Sequence, residues 1–215
     1  MKYHFIDIGC GHQSVSSDIY GTSDDIFGMY VEPIKEYLDV LPSGKNIIKE
    51  DCAIHDQPGV LEFNALIADN PRYFSNAEMV EIIKNKQLHE DYDRKYPGSG
   101  NSSFLKINGC WQNYQKKILV KTMTLEELFI KHNVTEIEYL KIDVEGYEEH
   151  LLLQLYNLMK LSKVKITNEL KFEYNYLSNL IELDKLTKLI CNEFGFTAKY
   201  ETSLPWNEDM ICTKI

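Results

Sequence analysis

The sequence predicts an α/β protein in which helices cover both faces of one mostly parallel β-sheet. Short apolar runs alternate with segments of helical length along the chain, and this alternation is typical of parallel sheets. The first apolar run, residues 3–8, ends in a glycine turn. The length of 215 residues and the hydrophobic content of 44% suit one domain with a buried core. We therefore expect a single domain over residues 1–215.

The first half of the chain predicts three strands separated by short helices. Apolar runs at 3–8 and 26–31 indicate buried strands joined by a turn and a short helix. Pro33 begins a predicted helix over 33–38, and Ser43-Gly44 ends that unit. Residues 46–54 predict a third strand.

The second half of the chain continues the alternation and ends in an antiparallel strand. Thr124 and Glu127 have the spacing of a capping box, which predicts a helix to about His132. Leucines at helical spacing predict another helix from about Tyr147 to Met159. The other predicted elements are strands at 60–64, 117–122, 139–142 and 164–166, a helix at 181–194 closed by Gly195, and a terminal strand pair at 196–200 and 210–213.

Residues from about 69 to 103 interrupt this pattern. The segment is polar and charged, contains several aromatic residues, and ends in Pro97-Gly98-Ser99-Gly100. We interpret it as a partly helical insertion near the functional site, with a decorated surface loop as the alternative.

Composition limits the partners and the compartment. The net charge of −10, without a block of basic residues, disfavours nucleic acid and anionic membrane surfaces. The five cysteines are odd in number and form no Cys-x-x-Cys pair, which disfavours a disulfide framework or a zinc site. Neither a signal peptide nor an apolar run of membrane-spanning length is evident, so the prediction is a cytoplasmic protein without a membrane span.

The turn after the first strand is the predicted cofactor loop. Gly9, Gly11 and Ser14 nearly match a dinucleotide fingerprint, in which glycines let the backbone approach a ligand. Asp7 argues against a dinucleotide, because its carboxylate would repel a pyrophosphate but would suit a cofactor that carries ammonium and sulfonium groups. A nicotinamide-dependent oxidoreductase remains the alternative.

Acids at the ends of the next two strands predict further cofactor contacts. Glu32 can accept hydrogen bonds from vicinal ribose hydroxyls, or it can cap the helix that follows it. Asp51 can accept from the amino group of an adenine, next to small apolar contacts from Cys52 and Ala53, or it can be a turn residue.

The chain resembles the FkbM-type methyltransferases. The resemblance rests on blocks in the family's order, which are residues 5–11, 30–33, 51–54, 100–103, 120–125 and 139–148, the last of which contains Asp-Val-Glu-Gly-Tyr-Glu. It implies a Rossmann-like class I methyltransferase sheet, S-adenosylmethionine as the methyl donor, and O-methylation of sugar or polyketide hydroxyls. The loop Asp7-Ile-Gly9 departs from the family's common Asn-x-Gly form, and the chain lacks helices before its first strand. We therefore expect either that the cofactor is more exposed than in the family or that a neighbouring domain or subunit covers it.

Acids at the ends of the fourth and fifth predicted strands are the candidate catalytic residues. Asp143, Glu145 and Glu169 would face the same crevice as the glycine loop, where one of them removes the acceptor's proton. Acids at a helix start also have a purely structural explanation. With Asn168 they offer hard oxygen ligands, so Mg²⁺ or another divalent cation on Asp143 and Glu169 is a second possibility. His12 is a rival base.

The resemblance to the FkbM-type family implies that the acceptor is a hydroxyl of a glycan or other small molecule. Aromatic rings stack on the apolar faces of sugars, and polar side chains bind the hydroxyls. The predicted contacts are Asn101, Ser102, Ser103, Glu148, Tyr96 and Trp111. The alternative is that the aromatic residues only pack the insertion onto the domain. A catalytically silent module that binds cofactor or partner through the same fold is a third interpretation of the whole chain.

Overall fold

A computed structural model describes residues 1–67, 102–105, 115–175, 177–204 and 207–215, together with 72, 78, 81–82, 84–85 and 87. These residues form a seven-stranded central sheet and a three-stranded sheet beside it. None of the helices in this part of the chain is long and apolar enough to cross a membrane.

The helices and strands alternate as the sequence predicts. The strands are β1 (Lys2–Ile8), β2 (Gly28–Val31), β3 (Ile47–Glu50), β4 (Ala53–Ile54), β5 (Gly59–Ala65), β6 (Lys116–Met123), β7 (Glu136–Ile142), β8 (Lys165–Glu173), β9 (Phe196–Leu204) and β10 (Asn207–Lys214). The described helices are α1 (Val15–Tyr20), α2 (Lys35–Val40), α3 (Leu125–Lys131), α4 (Glu148–Lys160) and α5 (Leu180–Phe194).

The central sheet has the strand order β3-β2-β1-β7-β8-β10-β9. Neighbouring strands from β3 to β8 are parallel, and β10 is antiparallel to both β8 and β9. This mixed α/β architecture with a mostly parallel sheet is compatible with a Rossmann-like methyltransferase fold. The carboxyl ends of β1, β2 and β7 meet at one edge, which is where open α/β sheets bind ligands.

Local signals for the helix ends are confirmed, with one shift. Thr124 and Glu127 form the predicted capping box at α3. Gly195 closes α5 in the left-handed conformation, with φ 68°. The helix predicted from Pro33 begins later, at Lys35, with Ile34 as its N-cap.

The prediction of one strand over 46–54 is wrong. The central strand β3 ends at Glu50, and the amide of Cys52 donates a turn hydrogen bond to the carbonyl of Glu50 at 3.1 Å. The chain then enters the second sheet, where β4 pairs in parallel with β6 and β5 pairs with β6 in the antiparallel sense. An apolar run does not reveal such a change of partner strand.

The fifth core strand is longer than predicted and contains a bulge. Ile137 pairs with Ile166, and Tyr139 pairs with Glu169, so an advance of two residues along β7 corresponds to three residues along β8. The polar stretch from Thr167 to Glu169 is therefore a bulge within the strand. The prediction from sequence treated this stretch as the strand end. The true carboxyl end of β8 is Glu173.

Most of the predicted insertion lies outside the described residues. Tyr96 and Asn101 of the insertion, and Trp111 after it, lie outside the described residues, so their predicted acceptor contacts have no structural description.

Candidate functional site

A cleft opens at the carboxyl ends of β1 and β2. It encloses about 530 Å³ including its open mouth. The lining comprises glycine backbone, two carboxylates and mostly apolar side chains: Ile8, Gly9, Gly11, Val31, Glu32, Pro33, Tyr37, Cys52, Ala53, Ile54, Phe63, Ser102, Phe104, Asp143 and Val144. The structure therefore brings together the predicted positions Gly9, Gly11, Glu32, Cys52, Ala53, Ser102 and Asp143.

The glycine turn requires glycine at Gly9 for two reasons. Its φ is 76°, which is the left-handed region, and a Cβ there would lie 1.8 Å from the carbonyl oxygen of Asp143. Gly11 also has a positive φ of 55°, but a Cβ there would meet nothing within 4 Å among the described residues. Close packing thus requires Gly9, while Gly11 borders open space in the cleft.

Glu32 lines the cleft and supports the glycine turn. It is only 5% exposed, and its two carboxylate oxygens accept hydrogen bonds from the amides of Gly11 at 2.8 Å and Ile34 at 2.9 Å. Burial raises its pKa to about 7, although these two hydrogen bonds oppose the shift. Each carboxylate oxygen has two lone pairs, so Glu32 retains acceptor capacity toward the cleft.

Asp7 and Ser14 act on the loop and are not part of the described cleft lining. Asp7 is fully buried, and one of its oxygens accepts hydrogen bonds from the hydroxyls of Ser14 at 2.7 Å and Ser16 at 2.9 Å. Ser14 is the N-cap of α1, where its hydroxyl accepts from the amide of Ser17. The pair therefore ties the start of α1 to the end of β1, and a direct cofactor contact by either residue remains a prediction.

The cofactor contacts predicted at the end of the third strand do not all lie in the cleft. Cys52 and Ala53 line the cleft as buried residues. Asp51 is exposed in the turn between β3 and β4 and is not among the lining residues described. Its predicted contact with an adenine amino group remains a prediction.

The sequence reasoning missed Lys141, which joins two acids of the site. Its ammonium lies 2.7 Å from Asp143 and 3.9 Å from Asp7. Burial alone would lower the pKa of Lys141, but Asp143 and Asp7 raise it well above its ordinary value. Asp7 and Lys141 are register partners on β1 and β7. In the sequence, each of these residues is a charge one position before the end of an apolar strand, and the two charges are opposite. That pattern could have predicted the pair.

Three carboxylates form a cluster at the ends of β7 and β8. One oxygen from each of Asp143, Glu145 and Glu173 lies within 4.8 Å of the others. Burial and the neighbouring acids raise the pKa of Glu145 well above its ordinary value and that of Glu173 to about 11. Like charges at this separation repel by about 3 kcal/mol per pair at an effective dielectric constant of about 20.

Glu169 does not join this cluster, contrary to the prediction that it lies with Asp143. It pairs with Tyr139, whereas Phe172 pairs with Ile142, just before Asp143. Glu169 is therefore roughly 13 Å along the sheet from the cluster, at about 3.3 Å per residue. Asn168 lies still farther from the strand end. Glu173 occupies the position that the sequence analysis assigned to Glu169.

Glu148 is part of the framework under the cluster. It is fully buried at the start of α4, and its carboxylate accepts from the amides of Val144 at 2.8 Å and Gly146 at 3.0 Å and from the hydroxyl of Ser178. These contacts close the turn that carries Glu145. The predicted acceptor contact by Glu148 would need an exposed carboxylate, and the structure buries it.

The two described serines of the predicted acceptor motif have different environments. Ser102 lines the cleft, and its hydroxyl accepts from the amide of Leu66 at 2.8 Å. Ser103 is fully buried, and its hydroxyl donates to the carbonyl of Glu145 at 2.7 Å. Ser103 thus holds the backbone of a cluster residue whose φ is 56°.

An aromatic group that the sequence analysis did not identify borders the cleft. The Phe104 ring packs edge-on against Phe63, with centroids 5.0 Å apart, and against His55 at 4.6 Å. His55 stacks on Tyr147 at 4.7 Å, and the Tyr147 hydroxyl donates to Asp56 at 2.8 Å. Phe63 and Phe104 line the cleft directly, so one of its walls is aromatic.

His12 lies beside the cleft in a buried position. It is 1% exposed, and its ring centroid is 4.9 Å from that of Tyr37. Burial lowers its pKa to about 4, so the imidazole is neutral at physiological pH. A neutral imidazole with such a low pKa is a weak proton acceptor, which disfavours His12 as the base.

Comparison with known families supplies the identification. Residues 7–199 match the family model described as the methyltransferase FkbM domain. No curated protein and no solved structure gives a significant match. The matched span covers the cleft, the glycine turn and the acidic cluster, and it confirms the resemblance drawn from the sequence blocks. The chain belongs to the FkbM methyltransferase domain family.

Proposed function

We propose that this protein is an S-adenosylmethionine-dependent O-methyltransferase that acts on a hydroxyl of a sugar, a glycan or another small molecule. Family membership supports methyl transfer in general. The observation that carries the proposal is the cleft at the ends of β1 and β2, where glycine backbone, a buried carboxylate and apolar walls meet the acidic turn after β7.

The cleft offers contacts for both the ribose and the base of an adenosine. Glu32 presents a carboxylate that the amides of Gly11 and Ile34 already orient, and its free lone pairs suit the two hydroxyls of a ribose. Cys52, Ala53 and Ile54 provide a small apolar surface next to it for a flat ring. The backbone at Gly11 leaves room for close approach of the ligand.

Charge favours this cofactor over a dinucleotide. The cleft and its immediate surroundings contain the carboxyl groups of Asp7, Glu32, Asp143, Glu145, Glu148 and Glu173. Lys141 compensates Asp7 and Asp143. In their ionised form, the other carboxyl groups would repel a pyrophosphate and attract a cation. Bound S-adenosylmethionine would supply a methyl group that is activated by a positively charged sulfonium.

The acceptor would bind on the side of the cleft that Asp143 and Phe104 line. The aromatic wall of Phe63 and Phe104 suits the apolar face of a sugar ring, and Ser102 offers a polar contact. Asp143 is the carboxylate shared by the cleft and the acidic cluster. As the acceptor oxygen bonds to the methyl carbon, the bond between that carbon and the sulfonium sulfur breaks, S-adenosylhomocysteine is left, and the hydroxyl gives up its proton. We assign removal of that proton to Asp143 or Glu145, whichever is ionised.

Two measurements test the proposal. Calorimetry should show binding of S-adenosylhomocysteine and none of NAD; NAD binding with no S-adenosylhomocysteine binding would favour an oxidoreductase. Incubation with labelled S-adenosylmethionine and a panel of deoxysugar glycans, read by mass spectrometry, should then reveal a methylated hydroxyl. Cofactor binding without transfer to any acceptor in the panel would favour a catalytically silent module over the enzyme.

A further inference from the structure

Glu173 has a buried carboxylate oxygen without a partner. The side chain ends β8, is 8% exposed, and its Oε2 accepts no hydrogen bond from any described residue. Buried polar atoms of this kind are uncommon, and each one calls for an explanation such as an ion that binds there. The carboxylate points into the group formed with Asp143 and Glu145, since one oxygen of each lies within 4.8 Å of the others.

The neighbouring cation does not complete this group. Lys141 forms its hydrogen bond with Asp143, and its second ion pair is with Asp7 on the opposite side. No hydrogen bond from Lys141 to Glu145 or Glu173 is among those of the described residues. Lys141 by itself would therefore not balance three ionised carboxylates.

The geometry of the three oxygens suits a small cation. Hard divalent cations bind oxygen ligands at roughly 2.0–2.6 Å, so the ligand oxygens of one ion lie within about 5 Å of each other. The group fulfils this condition and consists entirely of carboxylate oxygen, the ligand type preferred by Mg²⁺ and Mn²⁺. Because Oε2 of Glu173 lies out of contact with solvent, its partner must be small, which favours a bare ion over a substituted amine.

The surrounding residues hold two of the three ligands, Glu145 and Asp143, in position. Ser103 donates its hydroxyl to the carbonyl of Glu145, and Glu148 binds the amides of Val144 and Gly146 on either side of that residue. Lys141 orients Asp143. Ligands that are oriented by such outer contacts bind metal more tightly than free side chains.

We propose that Asp143, Glu145 and Glu173 together bind one divalent cation, Mg²⁺ or Mn²⁺, beside the methyl acceptor. The role of the ion rests on the proposed function: because Asp143 also lines the cleft, an acceptor hydroxyl bound beside Asp143 would be within reach of the ion. A bound divalent cation lowers the pKa of a hydroxyl that coordinates it, which prepares the oxygen for methyl transfer.

The test is binding of Mn²⁺ to the whole chain. Electron paramagnetic resonance and calorimetry measure this binding, and Mg²⁺ serves as the competitor. Glu173→Gln keeps the shape of the side chain but removes its charge. We expect it to weaken Mn²⁺ binding at least about tenfold, because the loss of a residue that only contacts a metal ligand already weakens metal affinity by about that factor. Glu169→Gln is the matched control, because it removes a carboxylate from the same strand away from the cluster and should bind as wild type. Thermal unfolding in a chelator checks that both variants fold.

S-adenosylhomocysteine binding, measured on the same samples, separates this inference from the proposed function. Absent Mn²⁺ binding, or equal binding by wild type and Glu173→Gln, overturns the cation site, even where S-adenosylhomocysteine still binds. Equal weakening by Glu169→Gln also overturns it, since the ion would then be held by general surface charge. Mn²⁺ binding that depends on Glu173, in a protein that does not bind S-adenosylhomocysteine, supports the site and contradicts the proposed function.

Discussion

Gly9 and Asp143 are in direct backbone contact: a Cβ on Gly9 would lie 1.8 Å from the carbonyl oxygen of Asp143. The amide of Asp143 also donates to the carbonyl of Ile8 at 2.9 Å. The turn after β1 and the turn after β7 therefore pack as one unit. This unit joins the proposed cofactor loop to the proposed acceptor side of the cleft.

The first prediction concerns this contact. Overpacking costs roughly 1–3 kcal/mol and a left-handed backbone costs alanine roughly 1–2 kcal/mol more, so Gly9→Ala should lower the free energy of unfolding by about 2–5 kcal/mol. Urea denaturation measures this change. Gly11→Ala is the control, because it incurs only the backbone cost in open space. Equal losses in the two variants would show that the contact with Asp143 is unimportant.

The second prediction concerns Glu32 and the cofactor. Glu32→Ala should weaken S-adenosylhomocysteine binding by about 1–3 kcal/mol, the usual cost of losing hydrogen bonds to a charged group. Titration calorimetry measures this loss. Glu36→Ala, on the exposed face of α2, should bind as wild type. Unchanged affinity in Glu32→Ala would remove Glu32 from the cofactor site.

The third prediction concerns pH. Burial raises the pKa of Glu32 from 4.5 to about 7, so between these values the folded state retains a proton that the unfolded state has released. The contribution of Glu32 to stability is therefore fully present below pH 4.5 and is lost as the pH rises through about 7. The size of this loss is on the order of 3 kcal/mol.

Glu32→Gln isolates this contribution, because glutamine does not titrate. Urea denaturation of the ligand-free protein at pH 5 and pH 8 should show that the stability of Glu32→Gln relative to wild type improves at the higher pH. A difference that stays constant between the two pH values would mean that Glu32 ionises normally in the folded protein.

The fourth prediction concerns turnover. Asp143→Asn and Glu145→Gln should each lower the rate of methyl transfer by about 10²–10⁴-fold, the usual contribution of a positioned base. Both should retain affinity for S-adenosylhomocysteine, because their charge acts on the acceptor. Labelled methyl transfer read by mass spectrometry gives the rates, and Glu62→Gln on the exposed surface of β5 is the control.

Addition of Mg²⁺ or of a chelator to the wild type distinguishes two forms of this mechanism. If Mg²⁺ raises the rate of methyl transfer and the chelator lowers it, the acids act through an ion. If neither changes the rate, the acids remove the proton directly. Near wild-type rates in both variants would reject the role of the acids. Loss of activity in His12→Ala under the same conditions would then assign the base to the glycine loop.

Several features were predictable because their signals are local. The alternation of apolar runs predicted most of the strands, and the spacing of Thr124 and Glu127 predicted the start of α3. The glycine turn and Glu32 were predictable as neighbours, because each follows a strand of the same parallel sheet. Period, capping and turn chemistry depend on residues close in sequence, so no knowledge of the tertiary fold was needed.

Other features depended on which strands become neighbours and in what register. The bulge in β8 puts Glu173, and not Glu169, beside Asp143. The register of β1 and β7 pairs Asp7 with Lys141. Long-range pairing of this kind has no signature at fixed sequence spacing. The sequence by itself therefore determined the fold class and the residue types of the site, whereas the tertiary structure decided which acids meet, because only strand register brings distant carboxylates within contact distance.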